Sequence, residues 1–205
     1  MPVGTWTAIV PIRSLNAGKS RLTGRLDAPT VTEAFARDVL AACSQCPEIG
    51  DVLVVTSDPD AVALAEDCGA RGVIQVGTEG INAAIAQVRG QVDPGEPVVA
   101  ILGDTPCLTG ETLSTVLAAA NDHDVSFVAD TAGTGSTMWC AKDPRATPYF
   151  GEHSRARHRA AGAVELGGDQ RSEHWLRARR DVDTEIDLWD AQRIGVGPAT
   201  ARALA

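Results

Sequence analysis

Val98-Val-Ala-Ile-Leu102 is the stretch that decides the fold, and Gly103-Asp104 follows it at once. Five apolar residues without polar alternation read as a strand buried on both faces, as in a parallel sheet with helices above and below. An Asp at the end of such a strand is costly unless it is solvated, paired or bound to a cation. The glycine before it lets a bulky ligand approach the backbone. An Asp that caps the next turn is the alternative reading.

Outward from this strand, strand and helix patterns alternate. Residues 8–12, 51–56 (DVLVVT) and 73–76 read as strands, and 125–129 as another. Helical spacing appears after Thr30-Val-Thr-Glu33, which reads as a capping box, and again over 61–68, 81–92 and 111–120. This order predicts a doubly wound, Rossmann-type α/β sheet, mostly parallel, with helices on both faces and residues 1–205 in a single domain. Residues 154–180 hold seven of the sixteen arginines and few apolar runs, and read as irregular structure over one sheet edge. Short helices are expected over 184–192 and 198–204.

The composition narrows the function. Of 205 residues, 44% are hydrophobic and 22% charged, which argues against wholesale disorder. A net charge of −9 argues against nucleic-acid or anionic-membrane binding, since both need a basic face. No apolar run approaches the roughly 18–20 residues that span a bilayer. Met1 to Pro11 lack the charged region and cleavage site of a signal peptide, so the expected compartment is the cytoplasm. Five cysteines, an odd number, do not suggest a disulfide framework. Cys43 and Cys46 form a C-x-x-C inside a helical pattern and read as small helix residues rather than a zinc or redox site.

Ligands of open α/β sheets bind at the carboxyl ends of the strands, so the loops there carry the candidates. Residues 13–20 end in Gly-Lys-Ser like a P-loop, but Arg13 stands where that motif needs Gly. What remains is three cations, Arg13, Lys19 and Arg21, around flexible backbone, which suits a polyphosphate. Solvated surface charge is the alternative. Asp181-Val-Asp183 puts two carboxylates on the same side of an extended chain. With a third carboxylate this can hold Mg²⁺, phosphate oxygens completing the shell. Asp183 can equally cap the helix that follows. Gly133-Thr-Gly-Ser136-Thr137 offers backbone and hydroxyl donors to an anion, or is a plain turn. Phe150-Gly151 to Ser154 and on to His158 supplies a Gly, a Ser and several cations that suit a small phospho-acid. Together these features describe metal-assisted transfer of a nucleotidyl group to a phosphorylated acid.

The same stretches, in this order, resemble the phosphoenolpyruvate and 2-phospho-L-lactate guanylyltransferases of deazaflavin coenzyme F-420 biosynthesis. The resemblance is carried by Val10 to Leu22, Ile81-Asn82, Leu102 to Pro106, Ser126 to Asp130 with Gly133 to Ser136, Phe150 to Ala160, Gly162 to Leu166, and Arg180 to Thr184. The tail from Ile194 to Ala203 is similar to the actinobacterial branch, and coverage is nearly the whole chain. The resemblance implies a nucleotide-diphospho-sugar transferase-like fold. It implies Mg²⁺ on Asp104, Asp181 and Asp183, with Asp104 and Lys19 catalytic. Ser136, Gly151 and Ser154 would contact the acid. Lys19, Arg13 and Arg21 would hold the GTP phosphates, with Asn82 and Gly103 near the nucleotide. The expected substrates are GTP and phosphoenolpyruvate, with 2-phospho-L-lactate as the other acceptor. Ser136 stands where the family more often has Thr, and Thr105 where it has Leu. A molybdenum-cofactor or sugar nucleotidyltransferase and a non-enzymatic nucleotide-binding module stay open, as do monomer and homodimer.

Overall fold

A computed structural model describes residues 5–15 and 28–205. In chain order the elements are β1 (Trp6–Pro11), α1 (Ala28–Gln45), β2 (Ile49–Thr56), α2 (Pro59–Asp67), β3 (Arg71–Ile74), α3 (Ile81–Arg89), β4 (Val98–Ile101), α4 (Gly110–Ala120), β5 (Val125–Ala129), β6 (Ser136–Ala141), α5 (Ser154–Ala160), β7 (Val164–Glu165), α6 (Glu173–Arg179), α7 (Glu185–Ile194) and α8 (Pro198–Ala203). The strands form one sheet in the order β3-β2-β1-β4-β6-β5-β7. All pairings are parallel except those of β6, which runs antiparallel to both β4 and β5. The order reverses between β1 and β4, and the crevice at their carboxyl ends is the place such sheets use for ligands.

The central strands are apolar on both sides, as Val98–Leu102 predicts. Ala8 and Val10, Val99 and Ile101, and Met138 and Cys140 face a core built with α1, α2, α4 and α6. Their alternates Ile9, Val98, Ala100 and Trp139 face Ile85 and Val88 of α3 and Phe150. Each large aliphatic so buried contributes about 1.5–3 kcal/mol relative to exposure. Cys43 and Cys46 are small members of the first core, and burial pushes the Cys43 thiol up to about 12.

Three local expectations change. Thr30 lies inside α1 rather than at its cap, and Glu33 accepts from Arg37 one turn on. Ser136 and Thr137, read as part of a donor loop, instead open β6, a strand buried along its whole length. The arginine-rich segment holds two helices of seven residues, α5 and α6, where irregular structure was expected.

A third apolar cluster positions the Asp181–Asp183 stretch. Val31 and Phe35 of α1 pack with Cys107, Val182, Leu188 and Ala191. Thr184, not Asp183, caps α7, in a capping box with Asp187. The Asp38 carboxylate accepts from Ala199 N and Thr200 N, both at 2.8 Å, and so holds the start of α8 against α1. A Cβ at Gly197 would collide with that carboxylate, so only glycine fits there. Among the described residues no helix is long and apolar enough to cross a membrane.

Candidate active site

Val182 anchors the acidic part of the site. Its side chain is buried in the third cluster, and its N–H donates to Asp104 O at 3.0 Å. The extended backbone then turns Asp181 and Asp183 to the opposite side, beside the end of β4. Burial pushes the Asp181 carboxyl up to about 7, and Asp104, Asp130 and Asp183 each add to the rise. Asp104, Asp181 and Asp183 are therefore brought into one field of negative charge. Asp183 is the exposed member. Among the described residues no three His, Cys, Asp or Glu side chains form a ready-made metal cage.

Asp130 was not among the residues singled out as functional in the sequence. Its carboxylate accepts from Thr134 N at 2.9 Å and Gly135 N at 2.8 Å. The β5–β6 turn is thus folded around Asp130, and its N–H groups serve that carboxylate rather than an open anion site. The turn sets the start of β6, and Leu102 N donates to Thr137 O at 3.0 Å, which keeps Ser136 close to the end of β4.

Ser136 and Ser154, the two hydroxyls that the resemblance assigns to the acid, meet. Their hydroxyls are 2.8 Å apart, and Ser136 Oγ lies 3.2 Å from His158 Nδ1. All three side chains are buried. Tyr149 N–H donates to His158 Nε2 at 2.8 Å, so that nitrogen is the acceptor and the proton of the neutral ring sits on Nδ1. Nδ1–H then donates to Ser136 Oγ, which leaves the serine hydroxyl hydrogens to point along the pair and outward. Burial, with the nearby Arg157 charge, lowers the His158 pKa to about 4 and keeps the ring neutral. His158 was read as one of several cations; a buried ring packed between Phe127 and Phe150 cannot hold that charge. Arg155 and Arg159 are likewise taken up by Glu165.

Gly151 is adjacent to the hydroxyl pair, its carbonyl accepting from Ser154 N at 3.1 Å. Its φ of +114° is a conformation that side chains disfavour. Asn82 fixes this loop: Nδ2 donates to Phe150 O at 3.0 Å and Oδ1 accepts from Phe150 N at 2.9 Å. Asn82 therefore positions the Phe150–Gly151 loop through both ends of its amide.

A cavity of about 630 Å³ lies on the other side of the β4 end, lined by Pro11, Ile12, Arg13, Gln75, Glu79 and Ile81 among others. Gly103 abuts it: a Cβ there would lie 3.4 Å from Ile12 Cγ1 and 3.6 Å from Pro11 O. Arg13 is exposed at its rim, and its carbonyl accepts from Thr56 Oγ1 at 2.8 Å. Lys19 and Arg21 lie outside the described residues. A smaller cavity, of about 280 Å³, beside α3 and residues 144–148 touches none of the candidates.

The cavity beside Gly103, the carboxylates around Asp181 and the hydroxyl pair of Ser136 and Ser154 all lie around the carboxyl end of β4. Residues 15–182 match the MobA-like NTP transferase domain. The fold is shared with a nucleotide-diphospho-sugar transferase, described as putative, from Desulfovibrio desulfuricans G20 (TM-score 0.62, 14% identity, 93% of this chain and 96% of that one). It is shared also with a 4-diphosphocytidyl-2C-methyl-D-erythritol synthase (TM-score 0.62, 12% identity, 93% and 99%). In sequence the chain is 42% identical to the phosphoenolpyruvate guanylyltransferase of Streptomyces coelicolor over 98% of its own length and 96% of the relative's. It is 40% identical to that of Mycolicibacterium paratuberculosis over 98% and 93%. The chain belongs to the MobA-like NTP transferase family and, within it, to the phosphoenolpyruvate guanylyltransferases.

Proposed function

We propose that this chain transfers the guanylyl group of GTP to the phosphate of phosphoenolpyruvate, releasing pyrophosphate and forming enolpyruvyl-diphosphoguanosine for deazaflavin coenzyme F-420 biosynthesis. The observation that supports the reading is the crowding of Asp104 and Asp181 at the end of β4, where Gly103 approaches Pro11 and Ile12 of the cavity wall and Leu102 pairs with Thr137 next to Ser136. GTP occupies the cavity, with Arg13, Lys19 and Arg21 on its phosphates. The acid's phosphate lies against Ser136, Ser154 and the Gly151 backbone. One of its oxygens attacks the α-phosphorus, the bond from that phosphorus to the β-phosphate bridge breaks, and pyrophosphate leaves with the electron pair. The nucleophile is already an anion, so no general base is needed, and His158, held neutral, orients hydroxyls instead. Positioning and charge neutralisation supply the acceleration.

The donor set beside β4 is all oxygen, and the crowding that raises Asp181 is what a hard divalent cation relieves. Asp104 and Asp181 would hold Mg²⁺, with Asp183 at the rim. Mg²⁺ typically takes one or two carboxylates and completes its shell with water and phosphate oxygens, so a closed protein cage is not required. When bound, it neutralises negative charge on the phosphates. A non-enzymatic nucleotide-binding module has no use for this arrangement of carboxylates next to a second anion pocket.

Phosphoenolpyruvate is the expected acceptor over 2-phospho-L-lactate. Both carry the same phosphate and carboxylate, so Ser136, Ser154 and Gly151 cannot separate them by charge. Shape near the middle carbon must do so, and small apolar differences of that kind give roughly ten- to hundredfold preference. Comparing kcat/KM for the two acids and 3-phosphoglycerate, each with GTP and Mg²⁺, checks this. A higher value for 2-phospho-L-lactate reverses the acceptor assignment and leaves the reaction class standing.

A further inference from the structure

We infer that Arg157 binds the carboxylate of the phospho-acid, beside the hydroxyls that take its phosphate, and so makes the pocket select acids over simple phosphate monoesters. The inference rests on the reaction proposed above. Helix α5 carries arginines at 155, 157 and 159. Two are committed to the fold: Arg155 Nε and Nη2 donate to Glu165 at 2.8 and 3.0 Å, and Arg159 Nη2 reaches the same carboxylate at 2.9 Å. Arg157 makes no ion pair among the described residues. Its guanidinium instead lies over the Tyr149 ring, 5.5 Å from the centroid. From there it faces Gly151: its Nη1 is 4.0 Å from the point a Cβ on that glycine would occupy.

The location fits a substrate contact. Arg157 and Ser154 are three residues apart on α5 and so share a face. Tyr149, the platform for the guanidinium, is tied by its own N–H to His158, which in turn donates to Ser136. One short segment thus sets both the hydroxyl pair and the cation. The pocket's other donors are neutral: two hydroxyls, the backbone around Gly151 and an uncharged imidazole. Asp130 lies beside Ser154, both carboxylate and hydroxyl bordering the point that a Cβ on Gly135 would take, and it repels a second negative group there. A phospho-acid brings a carboxylate as well as a phosphate, and a guanidinium offers it two parallel N–H groups in a fixed fork. Stacking on Tyr149 restrains the side chain before the ligand arrives, so less freedom is lost on binding.

Steady-state kinetics of Arg157→Gln and Arg157→Lys, with Arg159→Gln as a charge-matched control, test the assignment. Arg157→Gln should raise the KM for phosphoenolpyruvate roughly ten- to hundredfold, the loss of one charge-assisted contact. The KM for GTP should stay within about twofold, and kcat should change little, because the contact is made equally in ground and transition states. Arg157→Lys should recover part of the loss, keeping the charge without the fork. Arg159→Gln should leave the acid's KM near wild type. An unchanged acid KM in Arg157→Gln overturns the inference. So do an equal rise for GTP, which marks a disturbed fold, and an equal rise in Arg159→Gln, which marks bulk charge. A wild-type protein that releases no pyrophosphate from GTP with either three-carbon acid overturns the reaction itself and this assignment with it.

Discussion

Asp104→Asn should lower guanylyl transfer on the order of a thousandfold while leaving the fold intact. The backbone carbonyl of Asp104, which accepts from Val182 N, is unaltered by the change, so the Asp181–Asp183 stretch keeps its anchor. The side chain keeps its size and loses its charge. A carboxylate at the switch point acts on a transfer in which negative charge is shared among three phosphates. Removing its part in holding the cation costs about 4 kcal/mol of barrier. Turnover at saturating Mg²⁺, with thermal unfolding as the fold control, gives the answer. Activity above about a tenth of wild type would take Asp104 out of the chemistry.

Asp181→Asn should abolish transfer too, but make the metal-free protein more stable at alkaline pH. The folded Asp181 carboxyl titrates at about 7, raised from 3.8 by burial and by Asp104, Asp130 and Asp183. Between those values the folded protein binds more protons than the unfolded chain. Stability therefore falls as pH rises through this window, and above it the full penalty of an ionised, crowded carboxylate is present. Asn carries no charge and removes the penalty, a gain on the order of 2 kcal/mol after allowance for residual solvent. Thermal unfolding in chelator at pH 5 and pH 8 shows it: His158, held neutral, acts in the opposite sense in both proteins, so the difference between them is read, and the variant should gain stability relative to wild type from pH 5 to pH 8. An identical pH dependence in both proteins would mean that Asp181 is not held in a field of like charge. Stability gained together with activity lost is the expected mark of a site whose strain serves the ligand.

The parts of the fold written in uninterrupted apolar runs were legible in the sequence. Val98–Leu102 read as a doubly buried strand, and β4 is one. Asp104, at its end, was legible for the same reason, because a carboxylate is conspicuous beside such a strand. Asp181 and Asp183 read as sharing one side of an extended chain; the structure adds that Val182 between them is buried in the third cluster. β6 was hidden because it follows a Gly-rich turn whose donors look available. Only the structure shows Asp130 using the backbone N–H groups of Thr134 and Gly135. Helices α5 and α6 are too short for helical periodicity to emerge, and α5 buries a serine and a histidine rather than aliphatic residues. The arginines around them looked alike in sequence. What divides them is Glu165, which engages Arg155 and Arg159 and leaves Arg157 over Tyr149. The neutrality of His158 depends on Tyr149 N–H and on burial, neither of which has a local sequence signal.

Product analysis tests the proposed reaction most directly. The protein is incubated with GTP, phosphoenolpyruvate and Mg²⁺; pyrophosphate is quantified and the nucleotide product identified by mass. The expected result is enolpyruvyl-diphosphoguanosine and pyrophosphate in equal amounts, with no pyrophosphate when the acid is withheld. GTP bound without pyrophosphate release, or pyrophosphate released with GMP whether or not the acid is present, would contradict guanylyl transfer by this site.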